Sequence, residues 1–359
     1  MKAVIPAARK KDDMFPFSES KPTALMPVNG KPLILQTIGK LKAAGIEEVN
    51  VIVNHREELF RQLLQEREDV NIVVQEELSG TAEALKTCEF LQEDFVAVNG
   101  DVAVSEEDLE KLVESHSGDV SMLSTDESKP EKFGVLSIQN DEVTGIEEKP
   151  EEPENTLVNT GIYAFTPEIF DLIKASEASS ITEIISENLE DLDCRFSLIE
   201  DYWFDIGSPK KLLQADKTLR VESGRNISES AEIHESADLF DGVEVRENAV
   251  VGPNCILKDC IIGEGAEIRG NTVVEASTVG PRSLLQACHV KDSLLFEETV
   301  LDSFVDVEQS VLGEETDVKS GTVMKEAFIG PRSYVDMNNS IRGVKFVPDA
   351  RTDLSEISK

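Results

Sequence analysis

The chain has 359 residues, 40% of them hydrophobic, with 35 Lys and Arg against 71 Asp and Glu, a formal net charge of −36. That length points to two domains, and a surface this acidic repels phosphate backbones at long range, which excludes nucleic acid as a partner. No apolar run reaches the about 18 residues of a membrane span, and the opening MKAVIPA is too short for a signal peptide and reads as a first strand, so a cytoplasmic location is expected.

The acids are spread along the entire chain, not gathered in a tail. That fits a high-salt cytoplasm, because screening shortens to a few ångströms at molar salt and self-repulsion then costs little. A halophilic origin is expected. The five cysteines (Cys88, Cys194, Cys255, Cys260, Cys288) are odd in number and form no CxxC, which predicts buried free thiols and neither a zinc site nor a disulfide framework.

Residues 1–220 alternate short apolar runs with helix-period segments. Strands are predicted over Ala3–Ala7, Glu48–Asn54, Val70–Gln75 and Phe95–Asn99. Helices are predicted over Pro32–Ala44 (ended by Gly45), Glu57–Arg67, Thr81–Leu91 and Pro209–Arg220. This βαβα order predicts a Rossmann-like α/β domain, a mostly parallel sheet with helices on both faces. Ligands in such sheets sit at the carboxyl ends of strands, here the loops Ala7–Ser20, Gln75–Gly80 and Gly100–Asp101.

After residue 225 the pattern changes. Apolar residues recur every six positions at Ile227, Ile233, Leu239, Val245 and Val251. After an adjustment they resume at Ile262, Ile268 and Val274, then at Leu295, Leu301 and Val307, and finally at Ile329, Val335, Ile341 and Val347. Glycine follows several of them, and Gly-Pro-Arg-Ser occurs at both 280–283 and 330–333. A fixed short period means a solenoid, and six residues match one face of a triangular coil, so a left-handed parallel β-helix of hexapeptide repeats is expected. The predicted divisions are 1–222, 223–350 and a tail, 351–359.

Seven segments then occur in one order: PFSESKPTALMPVNGKPLI (16–34), QEELSGTAEA (75–84), VNGD (98–101), FGVLS (133–137), EEKP (147–150), VNTGIYAF (158–165) and YWFDIGSP (202–209). Together they resemble the nucleoside-diphosphate-sugar pyrophosphorylases, a group that includes glucose-1-phosphate thymidylyltransferases and the bifunctional N-acetylglucosamine-1-phosphate uridylyltransferases, which also carry a C-terminal β-helix. The resemblance covers essentially the whole chain. It implies a reaction in which a sugar-1-phosphate attacks the α-phosphorus of a nucleoside triphosphate and pyrophosphate leaves, with Mg2+ as cofactor. Such chemistry rests on positioning and charge neutralisation.

By this resemblance Asp101 and Asp205 hold the metal, since magnesium takes hard oxygen ligands and only one or two carboxylates. Lys149 reaches the phosphates, Gln75 and Gly80 hold the base edge, and Gly134, Glu148, Asn159 and Gly161 line the sugar side. Gln75 is compatible with UTP or dTTP, whose bases share an imide edge.

The first loop departs from the family pattern, which reads roughly Gly-x-Gly-Thr/Ser-Arg. Here the residues are Arg9-Lys10-Lys11-Asp12-Asp13, and the family's Pro-Lys is Pro22-Thr23. Either Arg9, Lys10, Lys11 and Lys21 hold phosphates through side chains, or triphosphate chemistry is lost and the chain is a regulatory subunit of an active paralogue. A third reading, acetyl transfer on the β-helix, lacks its base: the family's His-x-x-Tyr positions hold Ser303 and Asp306. The β-helix implies a homo-oligomer, trimeric or otherwise, or a hetero-oligomer with that paralogue.

Overall fold

The computed structural model describes residues 1–139, 142–221 and 226–352. The boundary predicted at 222/223 and residues 353–359 of the tail lie outside the described residues. By internal packing the chain forms two compact units. One comprises Met1–Lys10, Pro22–Leu25 and Leu33–Asp205; the other comprises Lys11–Lys21, Met26–Pro32 and the chain from Ile206 onward.

In the first unit β1 (Lys2–Pro6), β2 (Val49–Val53), β3 (Val70–Val74) and β4 (Phe95–Val98) run parallel in the order β3-β2-β1-β4. The helices between them are α1 (Leu33–Ala43), α2 (Glu57–Leu64) and α3 (Thr81–Lys86). The last is shorter than Thr81–Leu91 because the N–H groups of Thr87, Cys88 and Leu91 bond three residues back and tighten the chain into turns.

Alternation along the strands explains why both faces carry helices. Ala3, Ile5, Val49, Val51, Val53, Val96 and Val98 pack with α1, α2 and α4 (Glu106–Ser115) on one face. Val4, Ile52, Phe95 and Ala97 pack with α3, α5 (Ile169–Ala175) and α6 (Ile181–Glu187) on the other. A strand covered on both sides has no solvent face, so it reads as an unbroken apolar run.

The sheet extends to nine strands by adding β6 (Val120–Asp126), β7 (Gly134–Gln139), β8 (Glu142–Glu148), β9 (Leu157–Phe165) and β10 (Cys194–Leu198) in the order β3-β2-β1-β4-β9-β6-β10-β8-β7. This half mixes directions: β9 is antiparallel to β4 and β6, while β10 is parallel to β6. Outside the sheet, β5 (Val102–Val104) and β11 (Trp203–Asp205) form a two-stranded antiparallel ribbon.

The second unit is a left-handed parallel β-helix whose short strands run from Asn226 to Phe346. Successive coils are not uniform. Serine hydroxyls bond to the coil above at sequence spacings of 18 for Ser230–Asn248, 16 for Ser277–Ser293 and 17 for Ser293–Ser310. One face per coil often has five residues, which is why a strict six-residue series breaks and restarts. The fully buried seats missing from that series are Leu257, Val279, Leu285, Val290, Leu312, Val318 and Met324. At the end the shift displaces one expected core residue: Phe346 pairs in register with Ile329 and is 8% exposed, while Val347 is 46% exposed. From Gly242 onward the corners carry left-handed residues, as in the column Asn254, Asn271, Ala287, Phe304, Gly321, Asn338.

Against the β-helix packs α7 (Pro209–Val221). Its buried Arg220 pairs with buried Asp216 at 2.7 Å and donates to the Asp259 carbonyl at 3.1 Å, while Asp216 accepts from Thr278 at 2.9 Å.

All five cysteines are buried. Desolvation pushes the Cys88 thiol up to about 11 and those of Cys194, Cys260 and Cys288 up to about 12. A folded pKa above the unfolded one contributes stability that is complete below the unfolded value, about 8.5, and lost as pH rises through the folded value. The folded protein should therefore resist a thiol reagent at pH 8, all five thiols should react after denaturation, and the unfolding free energy should fall between about pH 9 and 12. Rapid labelling of folded protein would contradict this.

Candidate active site

The site is built where close packing leaves no room for side chains. After β4 the chain turns through Asn99, Gly100 and Asp101. The Gly100 N–H donates to the Pro6 carbonyl at 2.9 Å, and a Cβ at Gly100 would stand 2.9 Å from both that oxygen and the Ala7 Cβ. The Asn99 N–H donates to the Gly161 carbonyl at 3.3 Å. Gly161 has a φ of +75°, and a Cβ there would overlap Asn99 Nδ2. Glycine is required at both positions, and together they determine where Asp101 leaves the turn.

Asp205 arrives by a different route. It ends β11 directly opposite Val102, the residue after Asp101. The ribbon thus delivers two partly buried carboxylates to one end, from chain positions a hundred residues apart. Among the described residues no group of three or more His, Cys, Asp or Glu is placed to hold a metal. Two carboxylates at a strand end fit magnesium, which keeps most of its waters.

The sugar-side residues gather around β9. Asn159 is buried; its Oδ1 accepts the Gly161 N–H at 3.0 Å, and its Nδ2 donates to the Tyr163 hydroxyl and, at 3.4 Å, to Thr182 Oγ1 on α6. Burial raises the Tyr163 phenol, keeping it neutral. The β9–β6 register slips between Asn159 and Tyr163, where Gly161 bulges out. Gly134 lies opposite Glu148 in the β7–β8 hairpin, and a Cβ on it would come within 3.2 Å of both Glu148 Oε2 and Thr182 Cγ2.

Lys149 follows with a φ of +49°, a strained conformation for a lysine. Its N–H donates to the Phe133 carbonyl at 2.9 Å, and its exposed ammonium pairs with Glu148 at 3.2 Å. The Phe133 ring meets Trp203 edge-on at 5.5 Å, and Trp203 Nε1 donates to the Thr160 carbonyl at 3.1 Å. These contacts close a circuit. It runs from Asp101 through Asn99, Gly161, Asn159, Thr182, Gly134, Glu148, Lys149, Phe133 and Trp203 to Asp205, which faces Val102. The structure thus brings together Asp101, Asp205, Gly134, Glu148, Lys149, Asn159 and Gly161.

Gln75 and Gly80 form a separate group after β3. Gln75 is buried, with its Nε2 on the Glu77 carbonyl at 2.8 Å and its own carbonyl held by Asn54 at 2.7 Å. Gly80 has a φ of +141°, and a Cβ on it would overlap the Ser179 carbonyl.

The first loop divides. Arg9 is exposed and Lys10 half-buried in the first unit, and Lys11 belongs to the second. The Lys21 ammonium lies 3.3 Å from Glu297 and 4.0 Å from Glu314, on the face of the β-helix. Thr23 is buried, with no hydrogen bond to its hydroxyl among the described residues. On the β-helix, Asp306 faces His289 Nδ1 at 3.2 Å, and Glu275 lies 3.8 Å from the other ring nitrogen.

Sequence reasoning missed several members of the circuit. Asn99, Phe133, Tyr163 and Trp203 stood inside the seven segments and were available as signals. Thr182 lies in none of them.

The Nucleotidyl transferase family profile matches residues 2–222, and a profile described as GMPPB C-terminal domain matches 222–345. A match to the bifunctional protein GlmU of Methanocaldococcus jannaschii is 28% identical over 61% of this chain but spans only 54% of that protein. The low-salt glycan biosynthesis nucleotidyltransferase Agl11 of Haloferax volcanii is 30% identical over 84% of this chain and 89% of its own. Probable mannose-1-phosphate guanylyltransferase 2 of Oryza sativa is 27% identical over 84% and 92%. Among solved structures, a putative glucose-1-phosphate thymidylyltransferase from Bacillus anthracis, in complex with a sucrose, superposes with a TM-score of 0.56 at 28% identity, covering 61% of this chain and 94% of that one. The chain belongs to the nucleotidyl transferase family, among its sugar-phosphate members.

Gly161→Ala should lower stability by about 1–3 kcal/mol through strain at positive φ and displace Asn99. Urea unfolding checks the first effect. An unchanged transition would mean that the bulge relaxes without cost.

Proposed function

We propose that the protein joins a sugar-1-phosphate to the nucleotidyl group of UTP or dTTP, releasing pyrophosphate. The observation that carries this reading is the circuit linking Asp101 and Asp205 to Lys149, Glu148 and Asn159. Asp101 and Asp205 would hold Mg2+, which supplies charge neutralisation on the phosphates. Asn159 and Glu148 would orient the sugar hydroxyls, so that a phosphate oxygen stands in line with the α-phosphorus. Lys149 would neutralise charge between the two substrates. Arg9, Lys10 and Lys11 would meet the triphosphate from the first loop. We assign the Gln75 amide oxygen to the imide N–H of the base, since the Nε2 end is held by Glu77. The net charge of −36 supports work at high salt inside the cell.

The test is pyrophosphate release in molar potassium chloride with magnesium, across all nucleoside triphosphates and a panel of sugar-1-phosphates. Release that requires a sugar phosphate is expected with UTP or dTTP; release with GTP alone would overturn the base assignment. Nucleotide-sugar binding without release would turn the protein into the regulatory partner of an active paralogue. Asp101→Ala and Asp205→Ala should each lower the rate by roughly 10²–10³, the scale of losing one preorganised electrostatic contact. A rate unchanged in either variant would remove that residue from the metal site.

A further inference from the structure

We propose that the β-helix is the positioning element for the nucleotide loop: Phe296, Glu297 and Glu314 hold segment 11–21, and with it the basic stretch that begins at Arg9. This rests on the reading of that stretch as the triphosphate side.

The segment has no glycine between Lys10 and Lys21, so it cannot wrap phosphates in backbone N–H groups as a glycine-rich loop does. Side-chain cations must do that work, and long side chains bind well only from an ordered backbone. Two short 3-10 turns, Asp12–Met14 and Phe17–Glu19, set the path locally. The order comes from the β-helix. Phe17 and Phe296 are each 1% exposed, with ring centres 5.4 Å apart. Lys21 caps that pair, 5.8 Å above the Phe296 ring and 3.3 Å from Glu297.

Glu314 makes the attachment specific. It is 8% exposed, and among the described residues its Oε2 accepts no hydrogen bond; the Lys21 ammonium lies 4.0 Å from it, and Arg332 also acts on it electrostatically. A buried carboxylate that lost its nearer cation would be left poorly compensated. Lys21 is therefore an anchor, and the three β-helix residues are positioning residues that touch neither substrate.

The experiment compares wild type with Phe296→Leu, with the Glu297→Gln/Glu314→Gln pair, with Lys21→Met, and with the combined triple change at 21, 297 and 314, all in the full chain at one salt concentration. KM for the nucleoside triphosphate should rise roughly tenfold or more in each, while KM for the sugar phosphate stays within about twofold. Lys21→Met and the Gln pair should not add in the triple variant, since they break the same contact. A lowered melting temperature with both KM values unchanged, or an equal rise in both, would overturn the proposal. If the wild type releases no pyrophosphate, the proposed reaction fails on its own. Dissociation constants for magnesium–UTP and magnesium–dTTP then decide this one: equal values for wild type and variants, or no binding at all, overturn it.

Discussion

Everything at the candidate site depends on two places where a Cβ cannot exist. Gly100 lies against the end of β1, and Gly161 lies against Asn99. With both closed, the turn after β4 has little freedom, and Asp101 leaves it in a set direction. The ribbon of β5 and β11 then carries Asp205 to the same end through backbone pairing. Both carboxylates stand at one end of that ribbon. Their placement is inherited from the packing of strands beneath them, which is rigid because those strands are covered on both faces.

Electrostatics pulls the other way. A chain of net charge −36 that handled polyphosphate, as proposed, would have to keep its cations local, because the far field is repulsive. The structure shows two uses of the few cations available. Lys149 sits strained at positive φ, paired with Glu148 at the surface. Lys21 is half-buried between two glutamates. Molar salt screens exposed charges strongly and partly buried pairs less, so a half-buried pair is the kind of contact that keeps its value there.

Much of this was legible in the sequence, for identifiable reasons. Apolar runs in β1, β2 and β4 announce two covered faces, and the seven ordered segments mark the strand-end loops. Asp101, Asp205, Glu148, Lys149, Asn159 and Gly161 could be named because each sits in such a segment. Thr182 could not, because its place beside Asn159 and Gly134 arises from how α6 packs under the sheet, and no local pattern encodes that. The six-residue series showed the β-helix but not its coil length. One five-residue face per coil slips the phase, and at the last coil this gave Val347 the seat that Phe346 occupies. The partners of Lys21 were not legible for a related reason. Its cluster with Arg9, Lys10 and Lys11 is visible along the chain, while its partners Glu297 and Glu314 lie far along it.

The loss of glycines from the first loop and the attachment of that loop to the β-helix are physically one matter. A glycine-rich loop binds phosphate through N–H groups whose positions follow from the backbone, so it carries its own order. A loop of Arg and Lys offers stronger charges on floppy stems, each of which loses rotamer freedom on binding. Such a loop gains affinity only if something else orders its backbone. Phe17 packed against Phe296 and Lys21 seated between Glu297 and Glu314 supply that order from outside the sheet. A cation seated in that anchor is one fewer for the phosphates, so triphosphate binding in this loop, as proposed above, would rest on Arg9, Lys10 and Lys11.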